Sequence, residues 1–330
     1  MKLIDNSSQN FAIFVRSSYG DLLMIDPLIK LIKSLNKKNK ITLFVDDNNS
    51  QLVEFMNNID AFYEIPSKGN KYLAFLIYGL KHRNKKFDVS IAAKTGTGSA
   101  NGFFPFFLGA NKQISYVPNP KKWTDFLINC PVPFDEEIYH SQHYALGVLQ
   151  LVDKSLTKIP SEFHPRLVNS SNFSKGEKLK LLISVSNNRK SCSLSIKSTA
   201  QIINSIVKKF DLDIYISSLE VDSDKALELQ KKTVQHSTIK ITPLLKDFIE
   251  LIGSMDICFF GEGGSMHMAA ALGVPQVVLF GNTSPVTWHP LSDNASTIHD
   301  ASNVNNIPIN KIILALQKTL ESVRLKGKGH

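Results

Sequence analysis

Short apolar runs alternate with stretches of helical periodicity in the first half of the chain. Residues 11–15 form an apolar run, and leucine and isoleucine then recur at helical spacing between residues 22 and 35. Pro27 lies inside this stretch and lacks a backbone N–H, so the first turn should be distorted or the regular helix should begin near it. The same pattern predicts strands at 41–45, 61–65 and 88–92, and helices at 51–57, 71–82 and 138–151.

The pattern restarts after a polar segment, residues 169–178 (NSSNFSKGEK), which is rich in turn-forming residues. Strands are predicted at 181–185, 213–217, 238–241, 256–260 and 276–280, and helices at 195–210, 224–232, 243–253, 265–272 and 310–324. Parallel strands need long crossovers, which are usually helical, so this alternation predicts parallel sheets. We therefore predict two Rossmann-like, doubly wound α/β domains, residues 1–168 and 169–330, facing each other across a central cleft.

Length and composition agree with two globular domains. The chain has 330 residues, of which 43% are hydrophobic and 20% charged. It contains no apolar run of membrane-spanning length, and residues 1–10 lack the apolar core of a secretory signal, so a cytoplasmic protein is expected. Cys130, Cys192 and Cys258 match no metal-ligand spacing, so neither a structural metal nor a cofactor is expected.

The formal net charge of +9 makes an acidic partner plausible. Basic residues cluster at 81–86 (KHRNKK) and again at Lys121 and Lys122. A solvated basic face is the ordinary interpretation of such clusters. If the charge acts, an anionic membrane surface or a phosphorylated acceptor fits better than nucleic acid, because no interleaved aromatics or nucleic-acid motif accompany the lysines. Peripheral contact with the cytoplasmic face of an inner membrane is therefore included among the expectations.

Residues 256–275 (DICFFGEGGSMHMAAALGVP) are the segment most informative about chemistry. An apolar strand runs into a turn with Gly263 and Gly264, and a helix follows directly. The free N–H groups and positive end of a helix start favour an anion, so a phosphate or pyrophosphate suits this turn. His267 can add a hydrogen bond to the same group, whereas Glu262 would repel a phosphate and is better suited to accept from sugar hydroxyls. A generic glycine turn of an α/β crossover remains the alternative.

With these residues in view, the sequence resembles the bacterial heptosyltransferases, a glycosyltransferase family that adds heptose to the lipopolysaccharide inner core. Three segments carry the resemblance: residues 16–21 (RSSYGD), residues 261–275, and residues 279–285 (LFGNTSP) continuing to Trp288 and Leu291. The resemblance implies a GT-B fold with the acceptor mostly on the N-terminal domain and the nucleotide sugar on the C-terminal one. It also implies inverting, metal-independent transfer from ADP-heptose to an anionic glycolipid or oligosaccharide.

The resemblance assigns acceptor-side roles in the first domain. Asp21 matches the family's aspartate proposed as general base, and a carboxylate at the mouth of the first β-α turn could take a proton from an attacking hydroxyl. A helix cap is the alternative role for this aspartate. Ser18 lies in the same loop, and Lys94 and Thr95 lie in the loop after a later strand. All three are predicted to line the acceptor site. For Lys94 and Thr95 the alternative is a flexible loop that binds no ligand.

Donor-side roles fall on residues 184–191 (SVSNNRKS), the loop after the first strand of the second domain. Without a metal, the departing diphosphate needs protein cations and N–H donors. Arg189 and Lys190 are the candidates for a phosphate clamp, with Lys190 given the catalytic role, and Ser186 and Asn187 are the candidate neutral donors. An exposed basic loop is the alternative.

The chain departs from the family pattern at two places on the donor side. The tryptophan that often follows the loop lysine is missing, and Glu262 and Gly263 stand where the family has aspartate followed by serine or threonine. The second change bears on the identity of the donor sugar. Glu220, just past a strand, is placed where an acidic residue could meet a ribose or base, although a plain surface location is the more common role for such a residue.

Three other functions remain as alternatives. A nicotinamide-dependent oxidoreductase would use Asp46 or Asp47 as its ribose-binding acid, but the preceding turn lacks the G-x-G-x-x-G spacing and no convincing amphipathic helix follows Gly96 and Gly98. A non-catalytic nucleotide-sugar-binding protein would share the fold, yet would have no use for Asp21. Transfer of another nucleotide-activated sugar, such as N-acetylglucosamine or a hexose, would use the same machinery.

Overall fold

The computed structural model describes residues 7–16, 18–98, 100–168, 178–187 and 189–327. The chain divides into two compact units, Met1–Pro165 and Arg166–His330. The predicted boundary, after residue 168, falls slightly later than this division. Residues 169–177 of the proposed linker lie outside the described residues.

The N-terminal unit is a parallel sheet with helical crossovers. Within its described residues the sheet has six strands in the order β3-β2-β1-β4-β5-β6. Its elements are β1 (Asn10–Val15), α1 (Tyr19–Met24), α2 (Asp26–Leu35), β2 (Lys40–Asp46), β3 (Ala61–Ile65), α3 (Lys71–His82), β4 (Val89–Ala92), α4 (Ala100–Leu108), β5 (Lys112–Val117), β6 (Cys130–Pro133), α5 (Glu136–Ser141) and α6 (Tyr144–Gln150).

The C-terminal unit repeats this architecture. The described part of its sheet has six parallel strands in the order β12-β11-β10-β7-β8-β9. Its elements are β7 (Leu179–Ser184), α7 (Ile196–Ile206), β8 (Leu212–Ser218), α8 (Ser223–Lys232), β9 (Ser237–Ile241), α9 (Leu245–Gly253), β10 (Ile257–Gly261), α10 (Gly264–Ala271), β11 (Gln276–Phe280), α11 (Pro285–Trp288), β12 (Ala295–His299) and α12 (Ile309–Gly327).

Strand order sets the place where a ligand can bind in each unit. In the C-terminal sheet the chain builds outward from β7 through β8 to β9, then returns to place β10 on the other side of β7. In the N-terminal sheet the same reversal occurs between β1 and β4. Loops leaving the carboxyl ends of such a strand pair diverge to opposite faces of the sheet, which opens a crevice between them. Each unit therefore has one such crevice.

Apolar side chains on both faces of each sheet hold these strands in place. The N-terminal unit uses phenylalanines on one face: Phe14 stacks on Phe104 with ring centroids 4.7 Å apart, and Phe44 lies 5.0 Å from Phe104. The C-terminal core instead consists largely of buried isoleucine and leucine from the sheet and from α7, α8 and α12. Aromatic pairs of this kind add to the free energy gained by burial.

The predicted alternation is confirmed, and its errors have physical causes. The helix expected from residue 22 is broken at Ile25, so α2 begins beside Pro27, as that proline predicted. The helix expected at 138–151 is instead two helices, α5 and α6, because the side chain of His143 caps α6 at the nitrogen of Ala145. The prediction did not include α4, β5, β6, α11 or β12.

Helix α4 was not predicted. No convincing amphipathic helix was expected after Gly98, and the helix that begins there at Ala100 has the sequence ANGFFPFFL. This segment is apolar on nearly all sides and has Pro105 inside, so it shows neither amphipathic periodicity nor the usual helix composition. Contacts with its neighbours override those signals.

Candidate functional site

The crevice of the C-terminal unit lies at the carboxyl ends of β7 and β10. The loop after β7 leads to a 3-10 turn at Lys190–Cys192, and β10 leads through Glu262 and Gly263 into α10. The Asn187 side-chain amide donates to the carbonyl oxygen of Glu262 at 3.1 Å, and its own oxygen accepts from the Arg189 nitrogen at 2.9 Å. This amide therefore ties the first loop to the second.

The carboxylate of Glu262 is the centre of this contact. Its side chain is only 1% exposed. The Arg189 guanidinium donates to Oε1 at 3.1 Å, and the Cys192 thiol donates to the same oxygen at 3.0 Å. The Thr283 hydroxyl donates to the other oxygen, Oε2. Three side chains from two further loops thus donate hydrogen bonds to one buried carboxylate. A charged group is stable inside a protein only when it is paired and hydrogen-bonded in this way.

This geometry corrects the role predicted for Glu262. Acceptance from sugar hydroxyls would require an accessible carboxylate, whereas both oxygens already accept from protein donors. The acid instead holds Arg189, whose side chain is about half exposed, at the mouth of the turn. The positive charge of Arg189 also offsets the repulsion that Glu262 would exert on a phosphate.

Close backbone packing fixes the two loops against each other. A Cβ on Gly261 would lie 2.0 Å from the carbonyl oxygen of Cys192, and a Cβ on Gly281 would lie 2.7 Å from that of Ser191. Since real Cβ atoms do not approach backbone oxygens so closely, only glycine permits the 3-10 turn to rest on the ends of β10 and β11. The loop bearing Arg189 and Lys190 is therefore held in one place.

The start of α10 has empty space beside its backbone, whereas the loop after β7 is tightly packed. Gly263 has φ of +156°, a conformation that side chains rarely adopt, and no atom lies within 4 Å of the position of its missing Cβ. Gly264 and Ser265 form the first helical residues and are half-buried. Their N–H groups precede the first intrahelical hydrogen bonds, so they are free to bind an anion.

His267 does not fit the role that the sequence suggested. Its ring is only 3% exposed. A ring enclosed by the protein cannot add a hydrogen bond to an incoming phosphate without rearranging. The accessible groups at this helix start are thus the backbone at 263–265 and the guanidinium of Arg189.

A cavity of about 360 Å³ opens beside these loops. Its lining includes Ser186, Asn187, Cys192, Gly261 and Ser265, so it meets both loops of the crevice. Cavities of this size are typical of small-molecule sites.

The other predicted donor residues lie at the same edge of the sheet with different tasks. The Ser186 hydroxyl accepts from the Leu219 nitrogen at 2.9 Å. The pKa of the nearby Asp222 carboxyl is lowered, chiefly by Lys225 and then by Ser186. Ser186 therefore braces the turn after β8, a correction to its role as a phosphate donor. Lys190 and Glu220 are both exposed.

The crevice of the N-terminal unit contains Asp21 at the carboxyl end of β1. Ser18 precedes α1, and its backbone nitrogen and hydroxyl donate to Oδ2 of Asp21 at 3.1 and 2.7 Å. Asp21 is thus the third helical residue of a capping box, in which an acid reaches back to the residue before the helix. Asp21 therefore has the alternative role, that of a helix cap. Its carboxylate is also partly exposed, which leaves it able to act as a general base as well.

Tyr144, in α6, is near enough to Asp21 for the two groups to interact electrostatically. Burial raises the pKa of Tyr144 well above its usual value, and the negative charge of Asp21 raises it further. Thr95 is itself buried, so it does not face an acceptor as predicted. Lys94 is exposed. Sequence reasoning missed Tyr144 because an aromatic in a helical stretch is indistinguishable from a core residue.

The acids that an oxidoreductase would need are engaged within the N-terminal unit. Asp46 forms an ion pair with Arg16 at 3.0 Å, and Arg16 also donates to the Ser67 carbonyl at 3.0 Å. Asp47 accepts from the Ser67 nitrogen at 3.1 Å. These acids therefore organise the loops after β1 and β3.

The described residues contain neither a cluster of metal-binding side chains nor a membrane-spanning helix. Nowhere in the described ranges do three or more His, Cys, Asp or Glu side chains meet in a group able to hold a metal ion. Among the helices described, none combines the length and apolarity needed to span a bilayer.

Comparisons with known proteins agree with the sequence resemblance. Residues 207–311 match the family described as Glycosyltransferase family 9 (heptosyltransferase). A provisionally named glycosyltransferase of Haemophilus influenzae is 21% identical over 295 residues, which cover 83% of this chain and 84% of that protein. The predicted resemblance and the enzyme class, a glycosyltransferase, are thereby confirmed.

Solved structures show the same fold across nearly the whole chain. The ADP-heptose lps heptosyltransferase II of E. coli is 15% identical, with a TM-score of 0.78 and coverage of 97% of this chain and 99% of that chain. A glycosyl transferase family 9 protein of Veillonella parvula is 12% identical, with a TM-score of 0.82 and coverage of 98% and 100%. The predicted GT-B fold class is thus confirmed.

Proposed function

We propose that this glycosyltransferase moves heptose from ADP-heptose onto a lipopolysaccharide core or a related glycan, with inversion at the anomeric carbon and without a metal ion. The observation that carries the proposal is the junction of Arg189, Glu262 and the open start of α10 in the crevice of the C-terminal unit. A fixed cation beside unused backbone N–H groups is suited to a diphosphate. The name of the E. coli structure supports ADP-heptose as donor.

The chemistry divides between the two units. In the proposed reaction Asp21 takes the proton of an acceptor hydroxyl as its oxygen bonds to the anomeric carbon. The bond from that carbon to the diphosphate breaks, and ADP leaves with the electron pair. Arg189, Lys190 and the N–H groups at 263–265 offset the charge that develops on the leaving oxygen.

The oxygen of Asp21 that does not take part in the capping box is the one proposed to act as base. Ser18 donates twice to Oδ2, which fixes the carboxylate plane. Burial and the charge of Asp21 raise the pKa of Tyr144 well above its usual value, so this hydroxyl does not compete with Asp21 as a base. The acceptor's remaining hydroxyls are proposed to meet Lys94 and Ser18.

A thermal-shift panel of ADP, UDP, GDP and CMP tests the choice of nucleotide. We expect ADP to raise the unfolding temperature selectively, because a ligand that binds only the folded state stabilises it by about 2.7 kcal/mol at 100 times its Kd. Asp21→Asn should retain the ADP shift, since this residue belongs to the acceptor side. Selective stabilisation by UDP or GDP would replace the proposed donor, and no shift with any nucleotide would contradict the proposal.

A further inference from the structure

A series of aromatic rings runs from the core of the N-terminal unit to its surface. The buried ring of Tyr116, in β5, has its centroid 5.7 Å from that of Phe134. The Phe134 centroid lies 5.5 Å from that of Tyr139, which lies 5.0 Å from that of His140. Phe134 and Tyr139 are half-buried and His140 is exposed. We call these last three residues the aromatic row, and its rings keep part of their surface open to solvent.

Hydrogen bonds hold the aromatic row in place. Phe134 directly follows β6, and its nitrogen donates to the Val117 carbonyl oxygen at 2.9 Å. The side chain of Asp135 caps α5 by accepting from two backbone nitrogens of its first turn. The Tyr116 hydroxyl donates to the Gly147 carbonyl oxygen at 2.6 Å, which ties the inner end of the series to α6. A ligand would therefore meet rings that are already ordered, which lowers the entropic cost of binding.

The aromatic row lies on the edge of the sheet that also bears Asp21. Strands β1, β4, β5 and β6 are neighbours in that order and run parallel, so their carboxyl ends share one edge. Asp21 follows β1 and Phe134 follows β6, and strands about 4.8 Å apart separate these two strand ends by roughly 14 Å. Burial is the main cause of the raised pKa of Tyr144, and Asp21 and Tyr139 are both near enough to add to it. One elongated ligand can therefore reach both places.

Acidic side chains border the aromatic row. Asp135, Glu136 and Glu137 are consecutive and exposed. His140 lies 3.8 Å from Glu136 in a contact that is open to solvent. Carboxylates accept hydrogen bonds from hydroxyl groups, whereas they repel phosphates and other carboxylates. This border suits an uncharged ligand that is rich in hydroxyl groups.

We propose that the aromatic row binds a neutral sugar ring of the acceptor, further along the glycan than the sugar that reacts at Asp21. A pyranose has a face of C–H groups that packs on an aromatic ring, and its hydroxyl groups then point outward to polar side chains. Small-molecule sites commonly combine aromatic surface with a few polar groups in this way. The acceptor role rests on the proposed function, and the row assigns a neutral segment to an acceptor that the family resemblance describes as anionic.

Saturation-transfer NMR with methyl β-D-glucoside tests the subsite without any donor. We expect the glucoside to bind, with the strongest transfer to the axial hydrogens of one ring face, because that face lies against the rings. Methyl β-D-glucuronide, which has a carboxylate in place of the hydroxymethyl group, should bind about 3-fold more weakly. Phe134→Leu with Tyr139→Leu should weaken glucoside binding by about 10-fold, because leucine keeps apolar volume but has no flat ring.

Three other variants separate the roles of the rings and the carboxylates. Tyr139→Phe keeps the ring and should bind the glucoside like the parent protein. Tyr78→Leu removes a half-buried tyrosine from α3 in the same unit, and it should leave glucoside binding unchanged. Glu136→Gln with Glu137→Gln should bring the affinity for the glucuronide close to that for the glucoside. Circular dichroism melts of each variant ensure that lost binding is not lost folding.

Three results would overturn the subsite proposal. They are failure of the glucoside to bind, equal binding of the glucuronide by the parent protein, and parent-like binding by the double leucine variant. Failure of the proposed function gives a different pattern, in which no nucleotide stabilises the protein while the glucoside still binds and the double leucine variant still loses it. The aromatic row would then remain a sugar site, and only its acceptor role would be lost.

Discussion

Replacement of Asp21 by asparagine is expected to lower the rate of sugar transfer by about 10² to 10⁴-fold, with the affinity for donor nearly unchanged. Asparagine is similar in shape and its oxygen can still accept from the Ser18 nitrogen and hydroxyl, so the capping box survives. It cannot take a proton from an acceptor hydroxyl. The measurement is kcat and KM for transfer, with donor Kd determined separately by calorimetry.

Two further variants separate catalysis from helix capping at Asp21. Asp21→Ala loses both roles, so it should match the asparagine variant in transfer and also unfold more easily, by about 0.5–2 kcal/mol. Asp135→Asn, which alters the cap of α5 in the same unit, should affect stability at most. Full transfer activity in Asp21→Asn would show that the aspartate serves only the helix.

Replacement of Arg189 by alanine is expected to weaken donor binding and turnover together, lowering kcat/KM by about 10² to 10³-fold. The guanidinium is held by Glu262 beside the helix start, so its charge is in place before the diphosphate departs. Loss of a prearranged cation affects the bound donor and, more strongly, the transition state. Steady-state kinetics with varied donor measures both effects.

Variants of other residues test whether the effect of Arg189→Ala is specific to that position. Glu262→Gln keeps the size of the buried side chain and removes the charge that holds Arg189, so it should give a smaller loss of the same kind. Lys190→Ala should also weaken binding and turnover together, as the sequence alone suggested. Lys231→Ala removes an exposed cation from α8 and serves as the control. Equal kinetics in Arg189→Ala and Lys231→Ala would remove Arg189 from the site.

Periodicity was enough to predict the architecture, because parallel strands and their crossover helices each have a simple pattern. Strands 61–65 and 276–280 and helix 71–82 have the predicted bounds. Helix α4 was missed because its sequence is apolar on nearly every side and contains a proline, and β12 because its half-exposed residues do not form an apolar run. Both depend on neighbours distant in the sequence.

The candidate site was predictable in its location and less so in its individual roles. Glycines beside strand ends signalled the start of α10, and the strand order explains why it meets the loop after β7. The sequence could not show that Glu262 is buried, since that depends on donors from two distant loops, Arg189 and Cys192 after β7 and Thr283 after β11. For the same reason the sequence could not show that Thr95 is buried and does not line the acceptor site.

We propose that the C-terminal unit holds the donor's diphosphate between Arg189 and the start of α10. A crystal structure of the protein with ADP tests this most directly. We expect phosphate oxygens at hydrogen-bond distance, about 2.7–3.2 Å, from the Arg189 guanidinium and from backbone nitrogens of Gly263 to Ser265. ADP ordered at any other place, with these groups still open to solvent, would contradict the account.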